Sequence, residues 1–276
     1  MQIAQPVAAF RKLHESGCFV LPNPWDIGSA VYLQYLGFKA LATTSAGFAF
    51  SQGLPDLDSA IPMATMLAHF RQIVGATSLP VNADFQSGYA REPEGVARNV
   101  TLCVQTGVAG LSIEDATHDT LLEKPLSIER IRAARTAIDT SGVPVVLTAR
   151  CEAWLIEPSK RAREAIDRLV AFADAGADCL FAPGILEPQS IAAVIKAVAP
   201  KPVNVLVSSP QAGLSVAKLA DLGVRRISVG VALACTAWGA FMRAAKSIAS
   251  TGEFGALADA APSDELNNLF LARKDR

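Results

Sequence analysis

Pro80-Val81-Asn82-Ala83-Asp84-Phe85-Gln86-Ser87-Gly88-Tyr89-Ala90 opens as a short apolar run, reaches a carboxylate at Asp84 and passes into a glycine-containing loop. The pattern predicts a buried strand over Pro80 to Ala83 whose polar groups collect at its C-terminal end. The same pattern returns twice. Ala109 to Ile113 runs into Glu114-Asp115, and Val143 to Thr148 runs into Ala149-Arg150-Cys151-Glu152. A single strand end of this kind reads most simply as a helix cap or a solvated loop. Three in succession, two acidic and one basic, point to a parallel α/β enzyme whose site lies at the carboxyl ends of its strands.

Working outward, strand-like and helix-like segments alternate along the chain. Before the central strand come an N-terminal helix ending near Leu13 to Gly17 and a strand over Cys18 to Leu21. Asp26 then caps a helix over Ile27 to Leu36, a strand covers Phe38 to Thr43, and a helix covers Ser59 to Val74. After it, helices are expected over Pro93 to Thr106, Ser127 to Asp139, Lys160 to Ala175, Pro188 to Val198, Ser215 to Leu222 and Ala232 to Ile248. Further strands are expected over Asp178 to Ala182, Pro202 to Val207 and Arg226 to Val229. Leu36-Gly37-Phe38, Thr106-Gly107-Val108, Ala175-Gly176-Ala177 and Leu222-Gly223-Val224 each place a glycine where a helix stops before a strand. About eight strand-helix units imply an α/β protein of the (β/α)8 TIM-barrel class. A doubly wound open sheet fits less well, because no GxGxxG follows the first strand. The expected layout is a single domain over 1–276: a helical segment at 1–17, the barrel at 18–250 and a C-terminal helical arm at 251–276. In the arm, Leu266, Leu269 and Phe270 give Pro262 to Ala272 an apolar stripe that needs a partner surface.

Bulk properties narrow the function. Of 276 residues, 51% are hydrophobic and 18% charged, and the formal net charge is −1. This leaves no electrostatic footprint for nucleic acid or an anionic membrane, and it suits a protein that buries surface in an oligomer. The N-terminus lacks the basic start and apolar run of a secretion signal. Five cysteines without a CxxC pair fit reduced thiols, so a cytoplasmic location is expected. Four of them read as small core residues, and Cys151, beside the charged strand end, is the one to watch.

Around the predicted rim lie Asn23, Trp25, Asp26, Thr44, Ser45, Ala46, Asp56, Asn82, Asp84, Glu114, Asp115, Arg150, Glu152, Asn204 and Ser208. Carboxylates without a His or Cys cluster suit a hard cation such as Mg²⁺, with Mn²⁺ an alternative. Arg150 can hold a substrate carboxylate by a bidentate pair, or it can form an ion pair with Glu114 or Glu152. Asp56 reads equally well as a turn residue. The polar stretch Ala116 to Leu126 is a lid candidate. His118 within it is the one lid group of a type that titrates near neutrality, and it reads more simply as a solvated loop histidine.

The strings PNPWDIGSA, GFKALATTSAG, GLPD, PVNADFQSGYA, GVAGLSIED, VVLTAR, GADCLFAPG and LGVRRISVG, in this order from about Val20 onward, resemble the isocitrate lyase/phosphoenolpyruvate mutase superfamily. The resemblance implies a barrel whose last helix is exchanged between subunits, usually in a tetramer. It also implies Mg²⁺ and a small oxo or hydroxy acid that reacts through an enolate-like intermediate. Carried over by position, it makes Asp56, Asp84 and Glu114, with Asn82, the metal-holding set. Arg150 becomes the carboxylate clamp, and Thr44, Ser45 and Ala46 the segment that binds the acid group. Trp25 and Asn204 are further substrate-binding candidates, and Arg150, Glu114 and His118 the catalytic ones.

Two departures shape the expected activity. Asn82 stands where the superfamily usually has the first acid of an Asp-x-Asp pair, and an amide oxygen can still ligate. Ala116 to Leu121 lacks the lid cysteine that serves the lyases as general acid. Decarboxylation or hydrolysis of an oxaloacetate-like acid is therefore expected ahead of isocitrate cleavage. C–P chemistry, and a catalytically degenerate barrel that only binds a carboxylate metabolite, stay open.

Overall fold

The computed structural model describes residues 4–58, 60–117, 120–156, 158–210 and 213–272. Eight strands form one parallel sheet: β1 (Phe19–Leu21), β2 (Leu41–Ala42), β3 (Val81–Asp84), β4 (Gly110–Glu114), β5 (Val146–Arg150), β6 (Cys179–Phe181), β7 (Val203–Leu206) and β8 (Arg226–Ser228). Their order, β1-β8-β7-β6-β5-β4-β3-β2, runs once round a barrel. The seam between β1 and β2 is bridged where Ala42 N–H donates to the Pro22 carbonyl at 3.0 Å. Helices follow the strands as a (β/α)8 barrel requires, and the strands are buried on both faces for that reason.

Before β1 lies α1 (Gln5–Leu13). The outer helices are α2 (Ile27–Tyr35), α4 (Met63–Ala76), α5 (Pro93–Val104), α6 (Lys124–Ser141), α8 (Pro158–Asp174), α9 (Pro188–Val198), α10 (Val216–Asp221) and α11 (Ala232–Thr251). Two short helices, α3 (Ser45–Ser51) and α7 (Ala153–Ile156), sit at the rim. A 3-10 turn (Gly255–Asp259) and α12 (Ser263–Leu271) end the described chain. The expected caps are present. Asp26 accepts from Ser29 N–H at 2.7 Å, and Gly37, Gly107, Gly176 and Gly223 have φ of 83°, 89°, 104° and 90° between helix and strand.

The stretch 45–51, which follows the second strand, is helical because Thr44 Oγ1 caps it by accepting from Gly47 N–H. The stretch after β4, expected as a long lid, is a short ribbon. Ala116–Thr117 pairs with Thr120–Leu121, Leu122 N–H returns to the Asp115 carbonyl, and α6 begins at Lys124 with Pro125 in its first turn. β5 runs to Arg150 rather than stopping at Thr148.

At the amino end of the strands α1 closes the barrel. Phe10 is fully buried and Arg11 Nη1 donates to the Pro144 carbonyl ahead of β5. Gly110 is required there, because a methyl group on it would stand 2.6 Å from Phe10 Cε1, 2.8 Å from Asn82 Oδ1 and 3.0 Å from the Val146 carbonyl oxygen. The last barrel helix packs little on its own chain. α11 buries only Ala234, and Trp238, Phe241, Met242 and Ile248 are exposed. Cys235 on it is exposed rather than a core residue. α12 leans on its own chain, with Phe270 Cζ 3.5 Å from where a methyl on Gly28 of α2 would lie, while Leu266 and Phe270 keep substantial exposure. No described helix is long and apolar enough to cross a membrane.

Candidate active site

A cavity of about 650 Å³ opens at the carboxyl ends of the strands. Its wall holds Asp56, Asp58, Asp84, Glu114 and Glu152 against the guanidinium groups of Arg150 and Arg226. Strand register assembles the centre. Glu114 and Arg150 are direct partners on β4 and β5, and Asp84 closes β3 beside Ser112 of β4. Arg150 Nη1 lies 2.9 Å from Glu114 Oε1 and 3.6 Å from Asp84 Oδ1, and its Nε pairs with Glu152. Burial alone would lower the Arg150 pKa, but Glu114, Glu152 and Asp84 more than reverse that, and the group stays charged. Burial, reinforced by Glu152 and Asp84, raises the Glu114 carboxyl well above its usual range despite Arg150. Glu152 is raised as well, first by burial.

Asp84 Oδ2 accepts from both Ser45 N–H and Ser45 Oγ at 3.0 Å. Thr44, Ser45 and Ala46 therefore do line the cavity, but the Ser45 amide expected for a substrate acid group is committed to Asp84. Asn82 is buried, and its Oδ1 has no hydrogen-bond partner. A buried amide oxygen left in this state is an acceptor awaiting a donor or a cation. Asn204 is also on the wall, bonded through Nδ2 to Ser228 Oγ at 2.9 Å. Asp56 lies on the exposed loop after α3 and borders the mouth.

Other rim candidates lie elsewhere. Trp25 does not line the cavity, and its Cβ packs against the backbone of Gly47. Asp26 is spent on its helix cap, and Ser208 is off the cavity wall. Asp115 turns away from the chamber. It accepts from Glu152 N–H at 2.8 Å and pairs with buried Arg168 at 3.3 Å, and Arg168 Nη2 donates to the Leu122 carbonyl at 2.9 Å. This bracket locks the ends of β4 and β5 and so positions Glu152. Cys151 is fully buried, with its pKa raised well above the usual thiol value first by burial and then by Asp115, which rules against a reactive thiolate. His118 lies outside the described residues.

Three groups went unforeseen. Gln86 is buried on the cavity wall with φ of 45°, held by a loop that Arg130 pins through the Ala90 and Arg91 carbonyls. Asp58 joins the acidic wall. Arg226 forms the floor, fully buried beneath Asn204. Its signal was alternation: Ser228 faces inward, so Arg226 two residues earlier does too.

The residues fit a divalent cation by donor type and charge, since they offer hard oxygens and an excess of carboxylates over guanidinium groups. Among the described residues no three Asp, Glu, His or Cys side chains converge as a ready-made cage. A cation such as Mg²⁺, which keeps several of its waters, suits such a wall.

The model of the phosphoenolpyruvate phosphomutase family matches residues 10–249. A Burkholderia cenocepacia protein provisionally assigned as a lyase/mutase superposes with a TM-score of 0.93 at 46% identity, over 97% of each chain. Oxaloacetate acetylhydrolase, solved with its product oxalate, superposes with a TM-score of 0.86 at 28% identity, over 98% of this chain and 95% of that one. The 2-methylisocitrate lyase of Escherichia coli is 31% identical over 199 residues, 68% of this chain and 65% of the lyase.

Proposed function

The chain belongs to the phosphoenolpyruvate phosphomutase family of the isocitrate lyase/phosphoenolpyruvate mutase superfamily, enzymes acting on C–C or C–P bonds of small carboxylates, and on that premise we propose that it cleaves a C–C bond next to the carbonyl of a small 2-oxo acid. Decarboxylation or hydrolysis of an oxaloacetate-like acid is the preferred reaction. The observation that carries this reading is the cluster of Asp84, Glu114 and Glu152 around Arg150 at the floorward end of an open, acid-lined mouth.

Asp84, Glu114 and Asp56, with the unpartnered Oδ1 of Asn82, would hold Mg²⁺ or Mn²⁺ directly or through water. When bound, the cation supplies positive charge beside the carbonyl oxygen on which negative charge develops. The protein's own groups do the rest. Arg150, fixed by three carboxylates, orients the acid end of the substrate. In decarboxylation the bond to the leaving carboxylate breaks, CO2 departs and the electron pair stays on the 2-oxo fragment as an enolate. In hydrolysis water adds to the carbonyl carbon, which becomes a carboxylate, and the pair leaves on the carbon of the other fragment. The carbon that carries the pair then takes its proton from water.

Assembly belongs to the same reading. α11 carries Trp238, Phe241, Met242 and Ile248 on its surface, and Phe50 and Leu54 line a groove with Cys235, Trp238 and Met242. Large apolar surface of this kind fits a homo-oligomer, in our reading a tetramer with exchanged C-terminal helices.

The test is turnover by the full chain on oxaloacetate, other 2-oxo acids and phosphonopyruvate, with Mg²⁺ and with a chelator. Metal-dependent loss of an oxo acid is the expected result. Turnover of phosphonopyruvate alone would move the assignment to C–P chemistry. Tight binding without any turnover would leave a carboxylate-binding barrel.

A further inference from the structure

The chamber holds two guanidinium groups in opposite electrostatic situations. Arg150 is surrounded by carboxylates. Arg226 gives its hydrogen bonds to neutral acceptors: Nε to Asn204 Oδ1 at 2.9 Å, Nη2 to Thr148 Oγ1 at 3.0 Å and Nη1 to His14 Nε2 at 3.3 Å. His14 accepts in the neutral form, because its Nδ1 side is taken by the Phe10 carbonyl at 2.7 Å. Among the described residues no carboxylate pairs with Arg226, although it is only 2% exposed.

A charged group buried without a counter-ion is costly, and such a group is a candidate for a ligand of opposite charge. Guanidinium carries five N–H bonds, of which three are used here, leaving one on each Nη. Arg226, Asn204 and Ser228 all line the same cavity as the carboxylate cluster. Thr148, which accepts from Arg226, lies two residues before Arg150 on β5 and so faces the same way. That places the two cationic levels about 6.6 Å apart along the strand, at about 3.3 Å per residue.

We infer that Arg226 is a specificity-determining residue: its guanidinium, with Ser228 and Asn204 beside it, binds the distal carboxylate of a short diacid whose other end lies at Arg150. This rests on the cavity being the acid-binding site proposed above. It makes the preferred substrate dianionic. Arg150 is matched by protein carboxylates, and Arg226 is matched only once the diacid has bound.

Succinate and butyrate test this, because they share four carbons and differ by one carboxylate. Neither is an oxo acid, so the result does not depend on turnover, and failure of the proposed reaction would leave it standing. Isothermal titration of the full chain with Mg²⁺ should show succinate binding at least about tenfold tighter than butyrate, as a charge-assisted pair warrants. Arg226→Gln should shrink the preference to within about twofold. Asn204→Asp, close to isosteric, gives Arg226 a carboxylate of the protein's own and should abolish the preference while keeping the fold, which circular dichroism checks. It decides the matter if Arg226→Gln does not fold, and a purely structural role for Arg226 predicts no change in the ratio. Equal affinity of the wild type for both acids, or a preference that survives Asn204→Asp, overturns the inference.

Discussion

Glu114 and Arg150 are register partners on neighbouring strands, with Arg150 Nη1 2.9 Å from Glu114 Oε1. The backbone ladder of β4 and β5 therefore fixes the central ion pair of the site, and side-chain freedom contributes little to its geometry. Arg150→Lys keeps the charge and loses the planar fork. It should lower kcat/KM by about 100-fold while leaving the melting temperature nearly unchanged. Arg150→Ala strips three carboxylates of their shared cation and should destabilise the fold by roughly 3–5 kcal/mol. Steady-state kinetics and thermal melts check both, and a lysine variant with wild-type kinetics would restrict Arg150 to a structural role.

Asp84 serves two partners, since it also anchors the start of α3 through Ser45. Asp84→Asn retains an acceptor for Ser45 but removes the charge. Metal-dependent turnover should fall by about 100-fold or more, with melting shifted by no more than about 3 °C. Undiminished turnover would remove Asp84 from the metal-holding set.

Gly110 sits where Phe10, Asn82 and the β5 backbone converge. Gly110→Ala must displace one of them, and the expected cost is about 1–3 kcal/mol in denaturant unfolding. An unchanged midpoint would show that α1 yields freely at this contact.

Acid sensitivity follows from two histidines. His14 has its pKa lowered to about 3, first by burial and then by Arg226, and His69, stacked on Phe48 at 3.8 Å, has its pKa lowered to about 4 by burial. In the unfolded chain both titrate near 6.5, so between that value and the folded pKa the unfolded state binds more protons. Stability is thus fully present above about pH 6.5 and is lost progressively as the pH falls toward 4 and 3. Each group adds a slope of up to about 1.4 kcal/mol per pH unit. A His14→Gln, His69→Leu double variant should flatten unfolding free energy against pH in this window, and an unaltered slope would assign the acid response to carboxylates.

The exposed face of α11 makes a prediction about assembly. Trp238→Ser with Phe241→Ser should lower the molecular mass seen by light scattering without unfolding the barrel. Deleting the chain after Gly255 removes α12, whose Phe270 already rests on its own α2, and should have a smaller effect. An intact oligomer in the serine variant would place the interface elsewhere.

Much of this architecture is legible in the sequence because apolar runs end in polar residues at regular intervals and glycines mark where each helix stops. Asp84, Glu114 and Arg150 could be found because each ends or follows such a run. α3 was not legible, since Ser45 to Ser51 is small and glycine-containing and becomes a helix only once Thr44 caps it beside the barrel rim. Arg226 was obscured by its neighbour. Arg225-Arg226 looks like a solvated basic pair at a strand start, yet alternation turns one outward and the other into the chamber. The commitment of Ser45 N–H to Asp84 is a matter of three-dimensional geometry, on which local sequence pattern is silent.

The helix α1 turns an open pipe into a cup. Through Phe10 under Gly110 and His14 against Arg226, a segment at the far end of the barrel from its mouth becomes the underside of the vessel in which the reaction is run. Clipping or displacing it would let water reach the floor guanidinium from below. A change at the chain's amino end would then behave kinetically as a lesion of the chamber itself.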